Sequence, residues 1–230
     1  MKKMIGKTLI FSSLVIALTA CSDRDDDMDS MDNQMYRIKI TNLTNAQPLS
    51  PPVAMLHSES VSFWEIGEAA SVALETLAEG GDGSVLLSLN AANPQHADTA
   101  ALVPGASTEF TLEMEHSADN HLSVAGMLVN TNDAFSGVSA VNLDDLGSGH
   151  KMTFFSYVYD AGTEMNTESV GTIPGPVDGG EGFNAARDDV TSVVTFHSGV
   201  VSADDNHAAS TLSEADKFDN PALRIEVFAL

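Results

Sequence analysis

The sequence predicts a mainly β fold, an antiparallel β-sandwich with a short helical insert around residues 67–93. Three observations carry that expectation. From Met35 onward several segments alternate apolar and polar residues with period two. One stretch between them switches to helical spacing. Long connections rich in Gly, Pro, Asp, Asn and Ser fill 165–189 and 202–221. Strands that flank a helical pair suit an antiparallel sandwich better than a βαβ sheet.

The first strand places Tyr36, Ile38 and Ile40 on one face and Arg37, Lys39 and Thr41 on the other. Further strands are expected over 107–115, 122–129, 152–159, 190–196 and 222–228. The last of these (Leu223-Arg224-Ile225-Glu226-Val227-Phe228) matches the first in length and composition, so the two terminal strands are expected to pair. The helical stretch sets Ala70, Ala73, Leu74 and Leu77 at i, i+3, i+4 and i+7, and Gly80-Gly81 supplies its stop. A second short helix is expected from about Ser84 to Ala92, before Asn93-Pro94. The two late Gly- and Asp-rich segments are expected to be long loops, which are usually functional or mobile.

Charge excludes one class of function. The chain has 230 residues with 33 Asp+Glu against 10 Lys+Arg, a formal net charge of −23. Three of those ten cations (Lys2, Lys3, Lys7) fall in the first seven positions. Without them 7 remain against 33, or −26. Such a surface repels phosphate backbones, so no nucleic-acid partner is expected. The single cysteine excludes an internal disulfide framework and a cysteine-ligated zinc site.

Residues 1–20 have the features of a lipoprotein signal peptide. A positive start (Met1-Lys2-Lys3-Met4) precedes an apolar run from Thr8 to Leu18 that is short for a bilayer span, which needs about twenty residues. Leu18-Thr19-Ala20-Cys21 resembles the bacterial lipobox, which implies that Cys21 is diacylated and becomes the new N-terminus. By resemblance to lipoprotein sorting in Gram-negative bacteria, Ser22 in place of Asp favours the outer membrane. Residues 21–34, with six aspartates and no apolar periodicity, are expected to form a disordered acidic tether, leaving 35–230 as the folded domain.

Two segments combine carboxylates, glycines and preceding strands: Asn130-Thr131-Asn132-Asp133-Ala134-Phe135-Ser136-Gly137, and Tyr159-Asp160-Ala161-Gly162-Thr163-Glu164-Met165-Asn166-Thr167-Glu168. If both loops lie at one end of the sandwich, Asp133, Asp160 and Glu164 converge there. Hard carboxylate and carbonyl oxygens of that kind suit Ca²⁺. Gly162 would let the backbone turn tightly enough for Asp160 and Glu164 to face one centre. The competing reading is that Asp133 and Asp160 cap their own turns. A third reading uses the dispersed histidines (His57, His96, His116, His121, His150, His197, His207) with carboxylates as a transition-metal site. His116 and His121 read as exposed hairpin-turn residues, and Trp64 reads as core packing rather than a sugar platform. No Gly-x-Ser-x-Gly elbow, phosphate loop or dinucleotide fingerprint marks an enzyme, although an unrecognised envelope hydrolase stays open as an alternative.

These two segments together resemble the spondin domain in its bacterial form. So do Tyr36-Arg37-Ile38-Lys39-Ile40-Thr41-Asn42-Leu43-Thr44, Gln47-Pro48-Leu49-Ser50-Pro51-Pro52, and Gly67-Glu68-Ala69-Ala70-Ser71 leading to Leu77-Ala78-Glu79-Gly80-Gly81-Asp82. The resemblance implies a C2-like sandwich, a Ca²⁺ ion at one end, and adhesion to a surface or matrix ligand, protein or glycan. Its metal ligands would fall on Asp133, Asp160 and Glu164, with Glu164 standing where the animal domains carry Asp. Those domains also contain cysteines that this chain lacks, so any disulfide bracing is absent.

Overall fold

In the computed structural model the described residues are 33–115, 119–187 and 192–230. The expected signal peptide, Cys21, the tether up to residue 32 and His116 lie outside them. Ten strands form two sheets: β1 (Asn33–Asn42), β2 (Val53–His57), β3 (Gln95–Ala97), β4 (Ser107–Glu115), β5 (His121–Met127), β6 (Ala134–Asn142), β7 (Lys151–Ser156), β8 (Val158–Asp160), β9 (Thr195–Phe196) and β10 (Leu223–Ala229). One sheet has the order β4-β1-β10-β7 and the other β3-β2-β5-β6-β8-β9, with every pairing antiparallel. The mainly β sandwich expected from the sequence is what the chain forms. Its terminal strands pair as expected, with Tyr36 opposite Ala229 and Asn42 opposite Leu223.

Alternation explains the four-stranded sheet. Tyr36, Ile38 and Ile40 of β1 and Leu223, Ile225 and Val227 of β10 are fully buried against Leu56, Leu122 and Val124 of the facing sheet. The six-stranded sheet is covered on its other face as well. There, helices α1 (Val72–Gly80) and α2 (Ser84–Ser88) pack Leu74, Leu77 and Leu86 on Val53, Met55, Ala125 and Phe135. Each buried leucine contributes roughly 2 kcal/mol of apolar burial. Ser71 caps α1, its hydroxyl accepting from the Leu74 N–H at 3.2 Å. At the other end Gly81 takes the left-handed conformation (φ 71°) and its N–H closes on the Leu77 carbonyl.

Three expectations need correction. The segment 152–159 is not one strand. It bends at Tyr157, so that β7 belongs to the first sheet and β8 to the second. The buried Ser156 hydroxyl holds this bend by bonding both backbone groups of Gly137. The expected strand 190–196 is reduced to β9, with residues 190 and 191 outside the described set. Ala134 to Gly137, placed in a loop from the sequence, open strand β6 instead. Asn33 and Gln34 pair with Glu115 and Met114 of β4.

Candidate functional site

Pairing of β6 with β8 sets Ala134 opposite Asp160, so the turn ending in Asp133 and the loop after Asp160 leave the sheet side by side. Thr131 folds the first of these. Its hydroxyl donates to the Leu128 carbonyl at 2.6 Å and accepts from the Ala134 N–H at 3.1 Å. Gln47 clamps the same turn by bonding both backbone groups of Asn130. The second loop turns at Gly162, which sits at φ 68°. A side-chain carbon there would fall 2.5 Å from the Val193 carbonyl oxygen.

Asp133 is fully buried. Its Oδ2 accepts from the Thr163 N–H at 2.8 Å, the Glu164 N–H at 3.1 Å and the Thr163 hydroxyl at 3.2 Å. Its Oδ1 is equally buried and has no hydrogen-bond partner. Asp160 behaves differently. Its Oδ1 accepts from the Gly162 N–H at 2.8 Å, and its Oδ2 from the Asn166 side-chain amide at 2.6 Å. Asp160 therefore caps its own turn, whereas Asp133 braces the neighbouring loop and not its own. Each Asp160 oxygen accepts from one donor and keeps a second lone pair, and Asp133 Oδ1 accepts none, so these atoms leave capacity for another partner. Asp133 Oδ2, in contrast, is filled by its three donors.

The local field is one-sided. Burial, reinforced by the Asp160 charge, pushes Asp133 up to about 7, and the three donors offset only part of that rise. Glu164 is pushed up to about 8, first by burial and then by Glu79 and Asp133, with the Asn132 amide pulling back and Glu181 adding to the rise. Every charge acting on Glu164 is negative. These two acids sit on adjoining backbone, but among the described residues no three His, Cys, Asp or Glu side chains are drawn into one metal-holding group.

Sequence reasoning missed the neighbours that complete this field. Glu75 and Glu79 of α1 are both buried. The Arg187 guanidinium pairs with Glu75 and also donates to the Ala70 carbonyl at 2.8 Å. Glu79 Oε2 accepts from the Asn184 N–H at 2.8 Å. The signal was present, since Glu75 and Glu79 each follow an apolar-face residue of the helix (Leu74, Ala78) and so flank its buried stripe. Asn132 staples the rim to the later loop, donating to the Thr172 carbonyl and accepting from the Glu168 N–H, both at 3.2 Å.

The histidines are mostly engaged elsewhere. His57 is buried, bonded to the Ser58 carbonyl and the Ser123 hydroxyl at 2.8 Å. His121 is also buried and stacks on His57, which corrects its reading as an exposed turn residue. His96 bonds Asp98 at 2.9 Å, and His207 meets the Thr167 carbonyl at 3.1 Å. His197 accepts from the Gly199 N–H at 2.9 Å, and burial lowers its pKa despite the nearby Asp160 charge. Trp64 is core, with its ring edge-on to Phe135 at 4.9 Å.

The chain is thus a two-sheet antiparallel sandwich in which Asp133, Asp160 and Glu164 stand on segments that leave β6 and β8 side by side. The sequence matches the Spondin_N family over residues 41–171, more than half of the chain, and the chain belongs to that family. Asp133, Asp160, Glu164 and Glu79 all fall within the matched stretch. Spondin domains are extracellular modules of the binding and adhesion type. A comparison with curated proteins found no match. Among the described residues no helix is long and apolar enough to cross a membrane.

Proposed function

We propose that this chain is a lipid-anchored, non-catalytic adhesion module of the cell envelope. In this reading Asp133, Asp160 and Glu164 hold a Ca²⁺ ion that orders the rim loops for contact with a surface or matrix ligand, protein or glycan. The observation that carries the reading is the unpartnered Oδ1 of Asp133. A fully buried carboxylate oxygen without a donor is costly unless a proton or a cation meets it. The donor chemistry fits a hard cation, because carboxylates, hydroxyls and amide oxygens line the rim and no thiol is present there.

When bound, the ion would supply positive charge where Asp133, Asp160 and Glu164 otherwise repel one another. The chain's own residues do the positioning. Thr163 and the Glu164 N–H hold the Asp133 carboxylate in place, Gly162 makes the tight turn between Asp160 and Glu164, and Asn132 ties the turn to the later loop. Titration calorimetry on chelator-stripped full chain should show one Ca²⁺ per molecule, and Asp160→Asn should weaken binding about tenfold or more. Unchanged affinity in that variant would remove Asp160 from the ligand set.

The anchor rests on Leu18-Thr19-Ala20-Cys21. Buried acyl chains contribute about 0.8 kcal/mol per methylene, and two or more chains hold a protein stably at a membrane. Fractionation of expressing Gram-negative cells should place the chain in the outer membrane, and Cys21→Ser should shift it to the soluble fraction. If Cys21→Ser stays membrane-bound, the anchor lies elsewhere.

A further inference from the structure

We propose that the outer face of the β4-β1-β10-β7 sheet lies against an anionic lipid surface, that of the membrane to which Cys21 would anchor the chain. This rests on the anchor reading above and adds an orientation to it. The described residues include six lysines and arginines, and four of them (Arg37, Lys39, Lys151 and Arg224) stand on this one face. The other two are engaged elsewhere, Arg187 with Glu75, and Lys217 with Asp205 and Glu214. Alternation turns the four outward, since Ile38, Ile40, Ile225 and Val227 fill the buried side of the same strands. Register makes them neighbours. Arg37 stands opposite Phe228, which stands opposite Lys151, and Arg224 stands opposite Phe155.

Two acids, Glu109 and Glu226, flank Lys39 in the row between these, so the patch keeps a positive excess. The cations stay within reach of a partner, with 40%, 44% and 38% of the Arg37, Lys151 and Arg224 side chains exposed. Aromatic rings lie among them. The Arg37 guanidinium sits 4.5 Å over the Phe228 ring, the Lys151 amine 5.5 Å over it, and Phe155 is 57% exposed. Cations interleaved with exposed rings suit a headgroup layer, where charge meets phosphate and rings enter the apolar boundary. The net charge of −23 does not forbid this contact. Stacked sheets lie about 10 Å apart and screening acts over about 8 Å, so acids beyond the facing sheet are hidden from a surface touching this one. Attachment agrees with the orientation. The first strand after Cys21 is β1, which belongs to this sheet, and residues 22–32 span at most about 40 Å.

Amine acetylation of the lipidated full chain in vesicles, read lysine by lysine by mass spectrometry, tests this. In phosphatidylglycerol vesicles Lys39 and Lys151 should react about fivefold more slowly than in phosphatidylcholine vesicles, with Lys217 unchanged. Molar salt should remove the difference. Arg37→Gln combined with Arg224→Gln leaves the reporter lysines in place and should shrink it to about twofold or less. Equal rates in the two vesicles, or equal slowing of all three lysines, would overturn the proposal. Salt-sensitive slowing already present in the unlipidated Cys21→Ser chain without vesicles would overturn it too, because the acidic segment 22–32 then covers the face. A chain that floats with both vesicles without lipid-dependent protection leaves the anchor reading standing, and one that floats with neither overturns both. Should the double variant fail to fold, the wild-type comparison between lipids and salts decides.

Discussion

Asp133→Ala is expected to destabilise the fold by about 3 kcal/mol, lowering Tm by roughly 6–12 °C for a domain of this size. The substitution strands the Thr163 and Glu164 N–H groups, which have Asp133 Oδ2 as their acceptor in the interior, and each buried amide left unpaired costs about 1–3 kcal/mol. Relief of repulsion with Asp160 and Glu164 offsets part of that loss. Asp133→Asn separates the two contributions. An asparagine oxygen can still accept from the loop, while its amide would occupy the place of Oδ1 among acids that can receive a proton. In chelator, urea unfolding should find Asp133→Asn at least as stable as wild type and Asp133→Ala far below both. In Ca²⁺ the order of wild type and Asp133→Asn should reverse. A mild Asp133→Ala would mean that the hydrogen bonds to the neighbouring loop are not what holds the rim.

The parts of the fold that were legible in the sequence are those with one wet face. Strands β1, β4 and β10 alternate because one side meets water, and α1 announces itself through Ala70, Ala73, Leu74 and Leu77 with Gly80-Gly81 behind them. Strand β2 (Val-Ala-Met-Leu-His) was missed for the opposite reason. It is buried on both faces, between the sandwich core and the helices, so it shows a continuous apolar run with no period. Strand β6 was hidden by its small residues and by an irregular register opposite Leu122 and Val124. The bend at Tyr157 depends on a contact between Ser156 and Gly137 that no local pattern encodes.

The rim divides along the same line. Asp133, Asp160 and Glu164 could be singled out because Asp-x-Gly-x-Glu after a strand is a local arrangement. Their adjacency follows from the pairing of β6 with β8, which the sequence left conditional. Glu79 and Arg187 reach the site from 54 residues before and after Asp133, and only tertiary packing brings them near it.

The central claim is that the rim acids are completed by a cation, and their titration gives it a distinctive signature. Asp133 and Glu164 have folded-state pKa values of about 7 and about 8, against ordinary values of 3.8 and 4.5. Between those limits the folded chain binds more protons than the unfolded one. Their contribution to stability is therefore complete below about pH 4 and is lost as pH rises through 7 and 8. Ca²⁺ should replace the lost protons. At a hundredfold excess over Kd it adds about 2.7 kcal/mol, or roughly 5–10 °C in Tm. The direct measurement is Tm of chelator-stripped full chain from pH 5 to pH 8, with and without millimolar Ca²⁺. The account predicts a Ca²⁺-dependent rise that is largest at pH 8 and shrinks toward pH 5. Superimposable melting curves at pH 8 with and without Ca²⁺ would contradict it.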